Sequence, residues 1–415
     1  MTRTEHYQHP SPSFPVYCLN WANDENLLLG GGGGTTRSGI QNKLKLCKIS
    51  KDGKSLKYIT ELLLNNEEDA PMTMAVDKEK NRLVTGINAS VSAIQLGKND
   101  NCRMFTFDDE KIEFLKGKQT IEAAWSDDFP YQKLTALSPS SKLLAVGSTD
   151  DTVALLNYPS LESAVPAFST DAELVDLDWG GSGGEWLAVT TTTSLHLYHL
   201  SSAEPPSLVL KQTIFPPSLD ITPVQFRSSR FSTSPSNPLI IHSVLNATKS
   251  AKRGASRKAW VCNFGVVAGP SKAPLTEEEK ITDKEKKKNK AKVKKEKEDV
   301  GKWDVLAKRE VAGKPVTVFD ISSDGKILSY GCSDLSIGIL DSRTLAPLLK
   351  ILHAHSFPPT ALKFNPSASL LVSASADNTI RTIVVPASFG GISISVIIFL
   401  LTVLVLIFAL ILSRQ

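Results

Sequence analysis

The sequence predicts an all-β fold, a seven-bladed β-propeller, followed by a single C-terminal transmembrane helix. Three observations carry that reading. A strand–turn–strand–turn–strand rhythm recurs through the chain, helical periodicity is nearly absent over the same stretch, and one long apolar run stands close to the C-terminus.

The clearest repeat is TALKFNPSASLLVSASADNTIRTIVV, residues 360–385. It reads as a strand, a turn at Asn365-Pro366-Ser367, a second strand, a tight turn at Asp377-Asn378 and a third strand, the rhythm of a WD-type blade. Residues 134–158 and 316–341 match it well, and 72–96 and 174–200 match it fairly. Residues 16–34 open the series and 224–248 are its weakest member, so seven units are expected. A closed ring removes the exposed sheet edges that a string of hairpins would leave. Two β-sandwich domains are the competing architecture, but the recurring Asp turn is not a sandwich feature. No Trp-Asp dipeptide ends a blade, so the repeats are degenerate.

The apolar run Ile392–Leu412 holds 21 residues without a charge. At about 1.5 Å per residue that spans roughly 30 Å, the hydrocarbon thickness of a bilayer, and a buried core helix is rarely apolar on every face for so long. The expected division is a propeller over 1–388, a transmembrane helix over 389–412 and a short luminal tail over 413–415. Arg381 and Arg414 flank the run too evenly to orient it. The N-terminus, MTRTEHYQHPSPSFPVY, has no apolar signal-peptide core, and a few residues cross a membrane more easily than a folded ring. The propeller is therefore expected on the cytoplasmic side.

Composition narrows the function classes. A formal charge of +4 on 415 residues argues against a broad basic face for nucleic acid. Five scattered cysteines without CxxC spacing exclude a disulfide scaffold and a cysteine-rich zinc site, and fit a reducing compartment. Residues 276–300 hold ten lysines and eight acids with almost no apolar residue. Such a stretch cannot bury enough surface to fold alone. It is expected as part of a disordered insert over 271–302, between the fifth and sixth blades. Contact with anionic lipid headgroups and a purely solubilising role both remain open for it.

Catalytic patterns are thin. The chain has no P-loop, no GxSxG elbow and no HExxH helix. His196 and His199 lie three apart in a strand-like run and so face opposite sides. His353 and His355 share a side just before the last blade, where a His is expected to hydrogen-bond the turn residue Asp377.

The outlier is Gly30–Leu46, GGGGGTTRSGIQNKLKL. Five consecutive glycines are costly in backbone entropy and interrupt a sheet that prefers β-branched residues. A flexible tip is one reading. A loop built for close backbone approach to a partner is the other, because a plain hairpin needs only two special residues.

The run Gly30–Gly34 followed by Gly39-Ile40-Gln41-Asn42-Lys43-Leu44, together with Ala354-His355-Ser356-Phe357, resembles the family of endoplasmic-reticulum membrane exchange factors that includes the prolactin regulatory element-binding protein. The resemblance covers all seven blades and the apolar run, and the glycine loop is its specific part. It implies a guanine-nucleotide exchange factor acting on the secretion-associated, Ras-related small GTPase that starts COPII coat assembly, in ER-to-Golgi transport. It also implies a loop organised by a potassium ion, with Gly30, Gly31, Gly32, Gly33 and Asn42 as metal-site candidates. Asn42, Ile40 and Gly39 would be the exchange-critical residues. Such a protein catalyses GDP release without covalent chemistry. A non-catalytic, membrane-tethered propeller scaffold is the alternative, and a DNA-binding regulator is disfavoured by the apolar run and the small net charge.

Overall fold

In the computed structural model, residues 4–10, 12–34, 39–65, 67–201, 206–219, 223–248, 257–267, 301–389 and 402–403 are described. They form seven four-stranded antiparallel sheets, the blades of a closed propeller. The innermost strands of blades 1 to 7 are Val16–Trp21, Met74–Asp77, Gln132–Leu137, Leu174–Gly180, Val224–Phe231, Val316–Ile321 and Pro359–Phe364. They surround a central channel of about 560 Å³. Each starts within two residues of a unit read from the sequence, so the count of seven stands.

The blades pack through apolar side chains of neighbouring sheets. Trp21, Leu27 and Leu29 of blade 1 share a buried cluster with Leu370, Val372 and Ile380 of blade 7. Two hydrogen bonds show that the innermost strands of these blades run the same way: Thr360 donates from its hydroxyl to the Val16 carbonyl at one end, and Trp21 Nε1 donates to the Lys363 carbonyl at 3.2 Å at the other. The ring therefore has two distinct faces. One carries the starts of the innermost strands and the glycine loop. The other carries their ends.

Ring closure was not legible as a repeat. The strand His6–His9 completes blade 7 as its outermost strand, pairing with Ile380–Ile383. The four-residue HYQH stretch carries no alternating apolar pattern, because its role is to cap an edge.

Three local expectations are corrected. First, the lysine-rich insert does not separate blades 5 and 6. Blade 5 comprises Val224–Phe231, Ile241–Ala247, Ala259–Val267 and Lys302–Ala312. The insert joins its third and fourth strands, and Lys302 is already strand, paired with Val267. Trp303 anchors that return: its ring is 2% exposed, stacks edge-on against Trp186 at 4.8 Å and donates to the Leu239 carbonyl. Residues 268–300 lie outside the described residues.

Second, the third strand of blade 2 is Cys102–Phe107, whereas Val91–Gln95, within the unit read as 72–96, is a short helix. Ser90 caps it by accepting from the Ala93 N–H, and Gly97 follows with a left-handed φ of 72°. Third, the glycine run does not break the sheet. Gly30 and Gly31 end the strand Asn26–Gly31, opposite Leu44 and Lys43. Their missing side chains are demanded by crowding: a Cβ on Gly31 would lie 2.0 Å from the Pro15 carbonyl oxygen.

Among the described residues no helix is long and apolar enough to cross a membrane. The run 392–412 lies outside them except for Thr402 and Val403, which are helical.

Candidate functional site

The glycine loop connects the second and third strands of blade 1, Asn26–Gly31 and Lys43–Ile49. Asn42 closes it. Its side chain is 4% exposed, its Oδ1 accepts from the Gly34 N–H at 2.9 Å, and its Nδ2 donates to the Gly34 carbonyl at 3.0 Å and the Glu68 carbonyl at 2.7 Å. The Asn42 carbonyl accepts the Leu64 N–H at 2.9 Å. Asn42 thus ties the glycine end of the loop to its own end, and that end to the linker that leads from blade 1 to blade 2.

Gly32 makes this closure possible. Its φ is 145°, and a Cβ there would sit 2.1 Å from Asn42 Oδ1. Any larger residue would expel the amide from its position. Gly39 and Ile40 lie on the exposed side of the loop, with Gly39 at φ 75° and a Cβ direction that meets no atom within 4 Å. Residues 35–38 lie outside the described residues. Of the residues singled out from sequence, Gly32 and Asn42 are in contact, Gly30 and Gly31 belong to the strand ladder, and Gly39 and Ile40 face solvent.

The donor chemistry suits an alkali cation. Main-chain carbonyls and an amide oxygen are hard, neutral oxygen donors. Asn42 Oδ1 has two lone pairs and the Gly34 N–H uses one of them. Its placement directly over the Cα of Gly32 sets an amide oxygen against a stretch of glycine backbone.

Two residues that sequence reasoning missed support the loop, Glu68 of the linker and Arg103 of blade 2. Arg103 Nη1 pairs with Glu68 Oε1 at 2.7 Å, both side chains 12% exposed. Glu68 also accepts the Asn65 N–H through Oε2 at 3.1 Å. Arg103 stands in a strand 61 residues downstream of Asn42, so no local pattern could have pointed to it. On the other flank, Lys45 meets Glu61 at 2.8 Å and lies 4.5 Å over the Tyr58 ring, and Lys45 and Lys43 together hold the Glu61 carboxyl below its usual range.

The histidine expectations resolve differently. His355 is buried, but its bond to Asp377 is indirect. Thr379 Oγ1 donates to Asp377 Oδ1 and receives His355 Nδ1 at 2.6 Å, while His355 Nε2 meets Ser373 Oγ at 2.7 Å. Because the Thr379 hydroxyl proton goes to the carboxylate, His355 is the Nδ1–H tautomer and Ser373 donates to its Nε2. Burial pushes the imidazole down to about 4, against the opposing pull of Asp377. His353 does not share its side: it is exposed, in a left-handed turn with φ 50°. His196 bonds Ser194 and Thr213, whereas His199 packs edge-on against Trp186, so the two separate as expected. The Asp turn itself recurs: Asp150, Asp334 and Asp377 each accept the N–H two residues on.

The fold and this loop define a class, a WD-type propeller with an elaborated first blade. The description "WD domain, G-beta repeat" matches residues 346–382. The chain is similar to "Guanine nucleotide-exchange factor SEC12" of Candida glabrata, 22% identical over 385 residues that make up 91% of this chain and 72% of that protein. "SEC12-like protein 2" of Arabidopsis thaliana is 22% identical over 83% of this chain and 72% of its own length. "Putative guanine nucleotide-exchange factor SED4" of Saccharomyces cerevisiae is 21% identical over 89% of this chain, which spans 30% of that longer protein. The seven-bladed ring, the repeat match and these relatives together fit a SEC12-type WD propeller.

Proposed function

We propose that the chain is a guanine-nucleotide exchange factor for a small GTPase, and that the glycine loop of blade 1 is its working part. The relatives named as exchange factors support the activity. The observation that carries the site is the closure of the loop by Asn42 over Gly32. A polar residue, 4% exposed, lies where any side chain on Gly32 would stand, and so holds the glycine backbone in one shape.

Exchange needs no covalent step. The loop binds the GTPase, Asn42 holds its base in one shape, and Gly39 and Ile40 present main chain and one apolar side chain at the tip. A preorganised loop disturbs the phosphate and magnesium contacts that hold the GTPase's switch segments, so nucleotide leaves and the nucleotide-free complex is the tightest. A potassium ion held by Asn42 Oδ1 and carbonyls of Gly30–Gly33 would supply positive charge that offsets the entropy of organising the glycines. The finer reading is the Ras-related secretion GTPase, at the endoplasmic-reticulum membrane, with residues 392–412 as a single-pass anchor and COPII coat assembly as the outcome.

The test is release of fluorescent GDP from candidate GTPases mixed with purified chain. Acceleration at substoichiometric chain supports exchange catalysis. Tight binding without acceleration would leave a membrane-tethered scaffold in its place.

A further inference from the structure

The two faces of the ring carry different segments. In blade 7 the last strand, Ile380–Val384, runs toward the face opposite the glycine loop, because Val384 pairs with Leu370 at the start of the second strand. The chain continues along that face to Phe389, which packs on a buried cluster built from Ile327 of blade 6 with Leu362, Phe364 and Leu371 of blade 7. Only Gly390 and Gly391 separate Phe389 from the apolar run that begins at Ile392. A fully extended chain covers at most about 3.6 Å per residue, so Ile392 stands no more than roughly 11 Å from Phe389. A ring tethered so shortly cannot stand off from the bilayer that takes up the run.

Blade 5 carries a second feature on this face. Its third strand overshoots the second, so that Gly265, Val266 and Val267 pair with Asp304, Trp303 and Lys302 beyond the last rung at Ile241 and Phe264. The overshoot presents Val266 at 37% and Val267 at 43% exposure, and Leu306, bulged out of the fourth strand just before it at the Asn263–Phe264 register shift, is 51% exposed. It neighbours the exit around the ring: Thr233 donates to the Ser322 carbonyl at 2.7 Å between blades 5 and 6, and Ser323 donates to the Pro366 carbonyl between blades 6 and 7. An exposed apolar projection on the same face as a two-residue tether has a defined cover.

We propose that the ring rests on a lipid bilayer by this exit face, with Val266, Val267 and Leu306 at the headgroup boundary and the glycine loop on the membrane-distal face. The inference rests on the reading of 392–412 as an anchor. It adds the partner surface, a bilayer, and the direction from which a GTPase engages the loop.

The test uses the full chain in phosphatidylcholine–phosphatidylserine vesicles, with a fraction of the lipid spin-labelled at the headgroup. All five native cysteines are buried, so one introduced thiol takes an environment-sensitive fluorophore specifically. The variants are Val267→Cys, Leu306→Cys and, on the glycine-loop face, Leu96→Cys at a position 74% exposed. Labels at 267 and 306 are expected to lose at least half their emission to the quencher, and the label at 96 almost none. Equal quenching at all three positions, or quenching at 96 alone, overturns the orientation. Flotation of the vesicles separates the two layers of the argument. A chain that fails to float with lipid removes the anchor and the orientation with it, whereas a chain that floats without quenching at 267 and 306 removes the orientation alone.

Discussion

Asn42 Nδ2 donates to the main-chain carbonyl of Glu68 at 2.7 Å, which ties the base of the blade 1 loop to the linker that starts blade 2. The loop is therefore held by two blades at once, and its shape is a property of their interface.

Replacing Asn42 with Ala removes bonds to Gly34 N–H, the Gly34 carbonyl and the Glu68 carbonyl. Asn42 is buried, so the partners left without it should cost about 1–3 kcal/mol of stability. GDP release should slow at least about tenfold, which corresponds to roughly 1.4 kcal/mol of lost transition-state stabilisation. Replacing potassium with lithium in the buffer should slow the wild type and barely affect the variant. Undiminished release by the variant would take the loop out of the mechanism.

Arg103→Gln tests the support from blade 2. The variant keeps a polar side chain but loses the pairing with Glu68 Oε1. Release should slow by a few-fold, less than for Asn42→Ala, with little change in thermal midpoint. The double variant should fall short of additivity, because both changes loosen one contact chain. Fully additive effects would show that Arg103 acts elsewhere.

His355 makes stability depend on pH. Its folded value lies at about 4, below the unfolded value of 6.5. Above pH 6.5 neither state is charged and the contribution is fully present. As pH falls from 6.5 toward 4 the unfolded chain binds a proton that the folded chain refuses, and stability is lost. Asp178, pushed up to about 6 by burial, works in the opposite sense over much of that range. The comparison that isolates His355 is the thermal midpoint of wild type and His355→Asn between pH 6.5 and 5. The variant should start lower and fall less steeply. Parallel slopes would remove the histidine from the acid response.

Ring closure gives the last prediction. Deleting residues 1–9 removes the outer strand His6–His9 and the contact of His9 Nε2 with Thr382 Oγ1 at 2.7 Å. The thermal midpoint should drop by several degrees, since about 1 kcal/mol is typical of each net hydrogen bond lost. The uncovered edge Ile380–Val384 should also promote self-association, read by light scattering. An unchanged midpoint and an unchanged mass would show that three strands suffice for blade 7.

The repeat rhythm alone determined the all-β class, the number of blades and the Asp turns, because each blade's inner strands and turns are local features of some 25 residues. The glycine run and Asn42 were legible for the same reason: unusual composition in one short stretch marks an unusual backbone. Tertiary structure alone decided how the ring closes, that Glu68 and Arg103 brace the loop, and that the lysine-rich insert lies within blade 5. Closure pairs His6 with Ile383, and the brace pairs Arg103 with Glu68, across sequence distances that leave no periodic trace. It also decided which face each segment occupies. A strand pattern repeats every two residues whichever way the strand points, so direction becomes fixed only when neighbouring strands pair and the blades pack into a ring.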